Sequence, residues 1–341
     1  MRKPTIALVA IAAAFVLLAF VLRSGDSVDA GDAGDTGDSV DSGVPTPSTT
    51  STTDPTTSAP ITTAPSTATA LPTDVAVCDL YPGIARSGQV ESPDLVEASG
   101  LAASRTTSDV LWSHNDSRGG AALFALTPTG GDLGVYDVPG AFALDWEDMS
   151  AGPGPGGDGA YLYIGDIGDN FDIRGGLVTV YRVPDADPAS LDGAFGESTA
   201  MTYQYPNGGH NAEALFIDPI EPALYLVTKA HEVAFVFRGS LTPSDGPGDL
   251  DLVATLFLGG EVSGADMSLD GSTFAMRGYQ SVWMWHRDTR ISVAEMLTEE
   301  PCMAPSPEER QGEAITFDSD LSYWTVSEGS NSAFQVVNRE P

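Results

Sequence analysis

The sequence is short of positive charge. Lysine occurs only at Lys3 and Lys229, and the 341 residues carry 15 basic against 48 acidic side chains, a net charge of −33. Three of the basic and seven of the acidic residues precede residue 74, so the remainder still carries −29. Such a surface repels nucleic-acid phosphates and anionic lipid, which excludes DNA or RNA as a partner. Cations and cationic ligands suit it better. Other absences narrow the chemistry further. The four histidines, His114, His210, His231 and His286, lack zinc-binding spacing and read as structural or surface residues. No Gly-x-Ser-x-Gly elbow, phosphate-binding loop or dinucleotide fingerprint occurs, so serine-hydrolase and nucleotide chemistry have no support. Beyond the first 22 residues no segment has a convincing helical pattern.

Arg2 and Lys3 precede an 18-residue apolar run, Thr5 to Leu22. At ~1.5 Å rise per residue it would span about 27 Å, close to a bilayer core. Val21-Leu22-Arg23-Ser24 offers no small-x-small cleavage site, and no cysteine follows for lipid attachment. Residues 1–23 therefore read as a signal anchor, a transmembrane helix with the bulk of the chain outside the cytoplasm. The alternative is a cleaved signal peptide, which would leave the domain secreted. Residues 24–43 repeat Asp at every third position amid Gly, Ser and Ala, the composition of a self-repelling disordered segment. Residues 44–77 form a Ser/Thr/Pro-rich linker of the kind that holds a domain away from a membrane. Residues 78–341 are left for one domain at the extracytoplasmic face. It is expected to be a monomer and to meet a small molecule or a cell-surface protein or glycan, touching membrane only through the anchor.

Five short segments of that domain share a register: Ser99–Ala103, Asp145–Met149, Asn211–Leu215, Ser263–Met267 and Gln311–Ile315. Each is followed by a turn and a β-like run, then by a third strand. Outer strands are predicted at Leu133–Val138, Met201–Tyr205, Leu252–Leu258 and Ile291–Leu297. Asp270-Gly271 between two apolar runs is a hairpin signal. Four antiparallel strands per unit, at spacings of 46, 66, 52 and 48 residues, predict an all-β, five-bladed β-propeller. Six blades are the alternative, because the 66-residue interval could hide extra strands. The last unit runs out before a fourth strand, so Gly88–Glu91 is expected to close the ring. Cys78 lies just before that strand and Cys302 in the loop entering the last blade; an exported chain is expected to bridge them.

The third repeat position is occupied by Leu101, Glu147, Glu213, Ala265 and Glu313, and the fourth adds Asp148 and Asp266. Inner strands of a propeller line its axis, so three glutamates should converge there. Crowded carboxylates repel unless a cation or base neutralises them, and oxygen-only ligands suit Ca²⁺. The second strands end nearby with Asn115, Asp116, Asp166, Lys229, Arg277 and Glu328. Two readings stay open: a calcium centre drawn from Glu147, Asp148, Glu213, Asp266, Glu313, Asn115 and Asp166, or an ion-pair network completed by Lys229 and Arg277. As an enzyme, the chain would use Glu147 or Glu313 as general base and Lys229 or Arg277 as anion stabiliser, hydrolysing a lactone, ester or phosphoester. As a module, it would hold the ion structurally and offer its loop face to a ligand.

The repeated Gly-(Leu/Glu)-Ala, Glu-Ala or Asp-Met start, followed by a strand and an aromatic-rich third strand, resembles exported bacterial propellers. These include the SdiA-regulated family and the calcium-dependent gluconolactonase and strictosidine-synthase-like propellers. That resemblance implies a channel calcium held by one Glu, with Glu147, Glu213 or Glu313 in the role, and by Asn or Asp from other blades. Asn170-Phe171-Asp172-Ile173-Arg174 also looks like the Asn-x-Asp-x-Arg element of β-propeller phytases, without their Asp-Asp-Pro-x-x-Trp companion.

Overall fold

A computed structural model describes residues 75–116 and 120–340. The expected anchor, the Asp-repeat segment and nearly all of the linker lie outside the described residues. Among those described, no helix is long and apolar enough to cross a membrane.

Short β-prone runs separated by Gly, Asp and Pro turns leave local pairing as the way to satisfy backbone groups. The result is five antiparallel sheets arranged as blades. Blade 1 runs through Ala98–Ala103, Leu111–Asn115, Ala122–Leu126 and Asp132–Asp137. Blade 2 comprises Trp146–Gly152, Tyr161–Asp166, Leu177–Pro184 and Thr199–Gln204, and blade 3 Ala212–Asp218, Ala223–Thr228, Ala234–Ser240 and Asp251–Leu256. Blade 4 holds Gly264–Met267, Thr273–Gly278, Ser281–His286 and Cys302–Ala304. Blade 5 holds Gly312–Phe317, Tyr323–Ser327 and Ala333–Val337 from the C-terminal end of the chain, completed by Ile84–Gln89 from its start. The ring is thus closed by an N-terminal strand, as expected, and the blade count is five. The 66-residue interval is filled by long loops within blade 2, not by another blade.

Packing explains why the ring holds. The first two strands of each blade are buried almost throughout, because both sheet faces meet a neighbour; the outer strand of blade 3 is mostly exposed. The five apolar clusters correspond to the five interfaces between successive blades, the last joining blade 5 to blade 1. Phe216 of blade 3, for example, stacks on Tyr225 with ring centres 4.7 Å apart and meets Phe274 of blade 4 at 4.4 Å. Trp283 and Trp285 belong to the same interface, so this tryptophan pair is packing.

Three features depart from the sequence-based expectation. Ile291–Leu297 is not the outer strand of blade 4. Ser292 and Glu295 cap one another reciprocally there and start a helical turn, Val293–Met296. This Ser-x-x-Glu capping box is a helix signal that an apolar count overlooks. The outer strand is instead Cys302–Ala304, which places Cys302 in a strand, not in the loop entering blade 5. Blade 2 also gains a fifth, parallel strand, Gly248–Asp249, lent by blade 3. The Asp270-Gly271 hairpin forms as expected, with Gly271 at φ +70°. Cys78, in the 3₁₀ turn Val77–Leu80, is bonded to Cys302 across 224 residues of sequence. The disulfide therefore joins the segment leading into the closing strand to blade 4.

Candidate metal centre at the channel mouth

Inner strands begin on the face where second strands end, so their residues meet at one mouth of the central channel. In four blades the ladder skips one inner-strand residue: Ser99, Glu147, Glu213 and Glu313. A bulge leaves its extra residue unpaired and re-aims the side chain. This is what turns Glu147, Glu213 and Glu313 into a common cavity of about 100 Å³, lined also by Ser99, Asp116, Asn170, Lys229, Tyr279, Gln311 and Glu328. The strand pairing corrects the repeat alignment by two residues in blades 1 and 4. Ser99 and Ser263, not Leu101 and Ala265, occupy the positions equivalent to the three glutamates.

Carboxylate oxygens of Asp116, Asp145 and Glu147 lie within 4.8 Å of one another. Asp116 stands just past the second strand of blade 1, and its carbonyl accepts the Trp146 N–H at 3.3 Å, which ties it to the start of the blade 2 inner strand. Its Oδ1 is shut off from solvent and has no hydrogen-bond partner among the described residues. Burial, followed by Asp145, Glu213 and other carboxylates, pushes Asp116 up to about 7. Glu147 is held well above the usual carboxylate range by burial and then by Glu213, Asp116 and Asp145. Burial and Glu213 likewise push Glu313 up to about 8. Gly168 provides room here: a Cβ on it would stand 2.1 Å from Glu147 Oε1 and 2.5 Å from Asp145 Oδ2.

Lys229 is the cation of the mouth. Its Nζ donates to Glu213 Oε2 at 2.8 Å and to the Tyr279 hydroxyl at 2.9 Å. Burial works against its charge, but Glu213 and Tyr279 override that and raise its pKa. Asn211 donates to Glu213 Oε1 at 3.0 Å and to Asn170 Oδ1 at 3.2 Å. Among the described residues lining the cavity Lys229 is the one basic side chain, and it is bound to Glu213. The donors are hard oxygens, one of them buried and unpartnered, around a space kept open by a glycine. They fit a hard divalent cation such as Ca²⁺.

The other expected site residues lie elsewhere, and the carboxylates among them are engaged by donors. Asp148 accepts from the Met149, Leu215 and Ala265 N–H groups at 2.8, 2.9 and 3.1 Å. Asp266 accepts from Ser150, Thr316 and the Phe317 N–H at 3.1, 3.0 and 2.9 Å. Both sit below the mouth and staple inner strands of different blades together. Asn115 clamps the loop before blade 1, accepting from the Val96 and Glu97 N–H groups. Asp166 pairs with Arg174 and accepts the Asp145 N–H at 3.0 Å. Arg277 is fully buried and paired with Glu309, away from the cavity. In the phytase-like segment, Asp169 caps the turn through the Ile173 and Arg174 N–H groups, while Asn170 alone reaches the cavity. Asp145 and Tyr279 carried no sequence signal for the site: one precedes a strand, the other sits in a hairpin.

No protein-family model matches the sequence, and no curated protein sequence matches it. Solved structures with a similar arrangement include the PQQ-bound aldose sugar dehydrogenase of Streptomyces coelicolor, at 14% identity over 76% of this chain and 98% of that one, TM-score 0.45. A gluconolactonase of Xanthomonas campestris is similar at 13% identity over 75% and 89%, TM-score 0.43. The calcium-binding protein regucalcin of Agrobacterium tumefaciens is similar at 14% identity over 75% and 96%, TM-score 0.43. The likeness is one of propeller architecture.

Proposed function

We propose that the channel mouth binds calcium and that the chain is a ligand-binding propeller built around that ion. The observation that carries this reading is the convergence of Asp116, Asp145 and Glu147 within 4.8 Å, with one buried oxygen unpartnered among the described residues. These three residues would hold the ion. Ca²⁺ accepts six to eight oxygens at ~2.3–2.6 Å, so neighbouring oxygens and ligand atoms can complete its shell. Bound there, it would neutralise the carboxylates and polarise a ligand oxygen. Lys229, pinned by Glu213 and Tyr279, offers a second positive point for an electron-rich part of the same ligand.

A second reading, hydrolysis of a lactone, ester or phosphoester, is favoured by Glu313. A carboxyl pushed up to about 8 in the cavity that also holds Lys229 can give or take a proton near neutral pH. Display on a membrane-anchored stalk, facing a small molecule or a cell-surface protein or glycan, completes the proposal. The Cys78–Cys302 bond supports it, because such bonds persist in oxidising compartments.

Calorimetric titration of the full-length protein with Ca²⁺ tests the first reading. Saturable binding that Glu147→Gln weakens at least about tenfold is expected; no binding by the unaltered protein would refute it. A screen of lactones, esters and phosphoesters tests the second. Metal-dependent turnover lost in Glu313→Gln is expected of a hydrolase, and absence of turnover in a calcium-loaded protein would leave the binding module.

A further inference from the structure

The opposite end of the channel holds a second cavity, of about 300 Å³, which shares no lining residue with the mouth. It opens where the inner strands end and the second strands begin, and Asp266 forms part of its floor. Arg105 is its one basic residue. The loop carrying it is anchored to Asp185, which accepts from the Arg105 N–H at 2.6 Å, the Thr106 N–H at 3.1 Å and Ser104 Oγ at 3.0 Å. The Arg105 guanidinium itself has no hydrogen bond or ion pair among the described residues. Asp266 and Asp185 are close enough to act on its charge, but Asp266 already serves Ser150, Thr316 and the Phe317 N–H, and Asp185 the backbone and Ser104 of the Arg105 loop. Burial works against the guanidinium charge. A fork of donors in a largely desolvated position, hydrogen-bonded to no acceptor among the described residues, suits a planar anion such as a carboxylate.

The rest of the lining defines what the carboxylate must be attached to. Val110, Met267, Phe317 and Trp324 give apolar wall. Asp109 and Asp320 stand exposed in its lining, and no side-chain bond among the described residues engages either carboxylate. Asp318 is committed to its own turn and to the Trp324 indole. A bare anion would have to approach a domain of net charge −29 past these carboxylates; a zwitterion would not carry that penalty. A volume of about 300 Å³ is at the low end for small-molecule sites. We propose that this cavity binds a small zwitterionic amino acid with an apolar side chain, its carboxylate on Arg105 and its ammonium toward Asp109 and Asp320. The site does not depend on the calcium reading.

L-leucine, leucinamide and 4-methylpentanoate, titrated separately into full-length protein by calorimetry, provide the test. Saturable leucine binding is expected, with leucinamide and 4-methylpentanoate each at least about tenfold weaker, which is 1.4 kcal/mol. Arg105→Met should weaken leucine at least about tenfold. Asp109→Asn should weaken leucine but not 4-methylpentanoate. Undetectable leucine binding, or equal binding of leucine and leucinamide, would overturn the site; both are read on the unaltered protein, so a variant that fails to fold does not rescue it. Leucine binding undiminished in folded Arg105→Met would overturn it equally. If 4-methylpentanoate binds as tightly as leucine, the zwitterion assignment fails.

Discussion

Asp148 and Asp266 lie deeper in the propeller than Glu147, Glu213 and Glu313, Asp266 as far as the lining of the opposite cavity, yet the two layers, deep and shallow, do opposite things. The deep pair accepts N–H and hydroxyl donors from four blades, so each carboxylate is a joint between inner strands. At the mouth the bulges turn side chains away from the ladder, and carboxylates face one another with Lys229 as the only base among the described residues of the cavity. Burial raises the pKa in both layers. What separates them is the supply of donors. Buried acids given N–H groups hold a structure together, whereas buried acids left facing acids require a cation or a proton.

The contrast can be strained at several points. Cutting the covalent joint sets the scale: Cys302→Ser removes a 224-residue closure and should cost about 2–5 kcal/mol in denaturant unfolding, with calcium binding preserved in the folded fraction. In the deep layer, Asp148→Asn sets an amide against N–H donors. It should cost about 2–3 kcal/mol whether or not calcium is present; a loss seen only with calcium would merge the two layers. At the mouth, Glu147→Gln relieves repulsion. The metal-free protein should be unchanged or slightly more stable by the same unfolding measurement, while calcium affinity falls at least about tenfold, or 1.4 kcal/mol. The smallest effect is expected of Gly168→Ala, whose Cβ displaces the Glu147 and Asp145 carboxylates. It should weaken calcium severalfold by calorimetry and leave melting without calcium nearly unchanged.

Much of the architecture was legible in the sequence because each blade repeats one short start before a strand, and because Gly88–Glu91 had no partner except the unfinished last unit. The convergence of Glu147, Glu213, Glu313 and Lys229 was legible for the same reason. Register was less so. Residue identity alone does not fix strand pairing, and Leu101 and Ala265 were matched with the glutamates in place of Ser99 and Ser263, a slip of two residues. Asp148 and Asp266 looked like ligands because their N–H donors are backbone groups of other blades, which side-chain identity does not reveal. Arg277 was assigned to the channel from its strand position, but its side chain runs to Glu309. Asp145 joins the cluster only because a blade 1 carbonyl holds Trp146 beside Asp116.

Melting the full-length protein across about pH 5 to about pH 8, with Ca²⁺ and with chelator, tests the account most directly. Asp116 and Glu313 are pushed up to about 7 and about 8, above their unfolded values of about 4. The folded state therefore holds protons that the unfolded state has released, and this stability is lost as pH rises through 7 to 8. Asp266, pushed up to about 6, contributes with the same sign but is insensitive to calcium. The predicted result is a melting temperature that falls with pH in chelator, a fall that Ca²⁺ largely removes, and a smaller calcium effect in Glu147→Gln. Superimposable curves with and without calcium would contradict the claim that the mouth is a cation site.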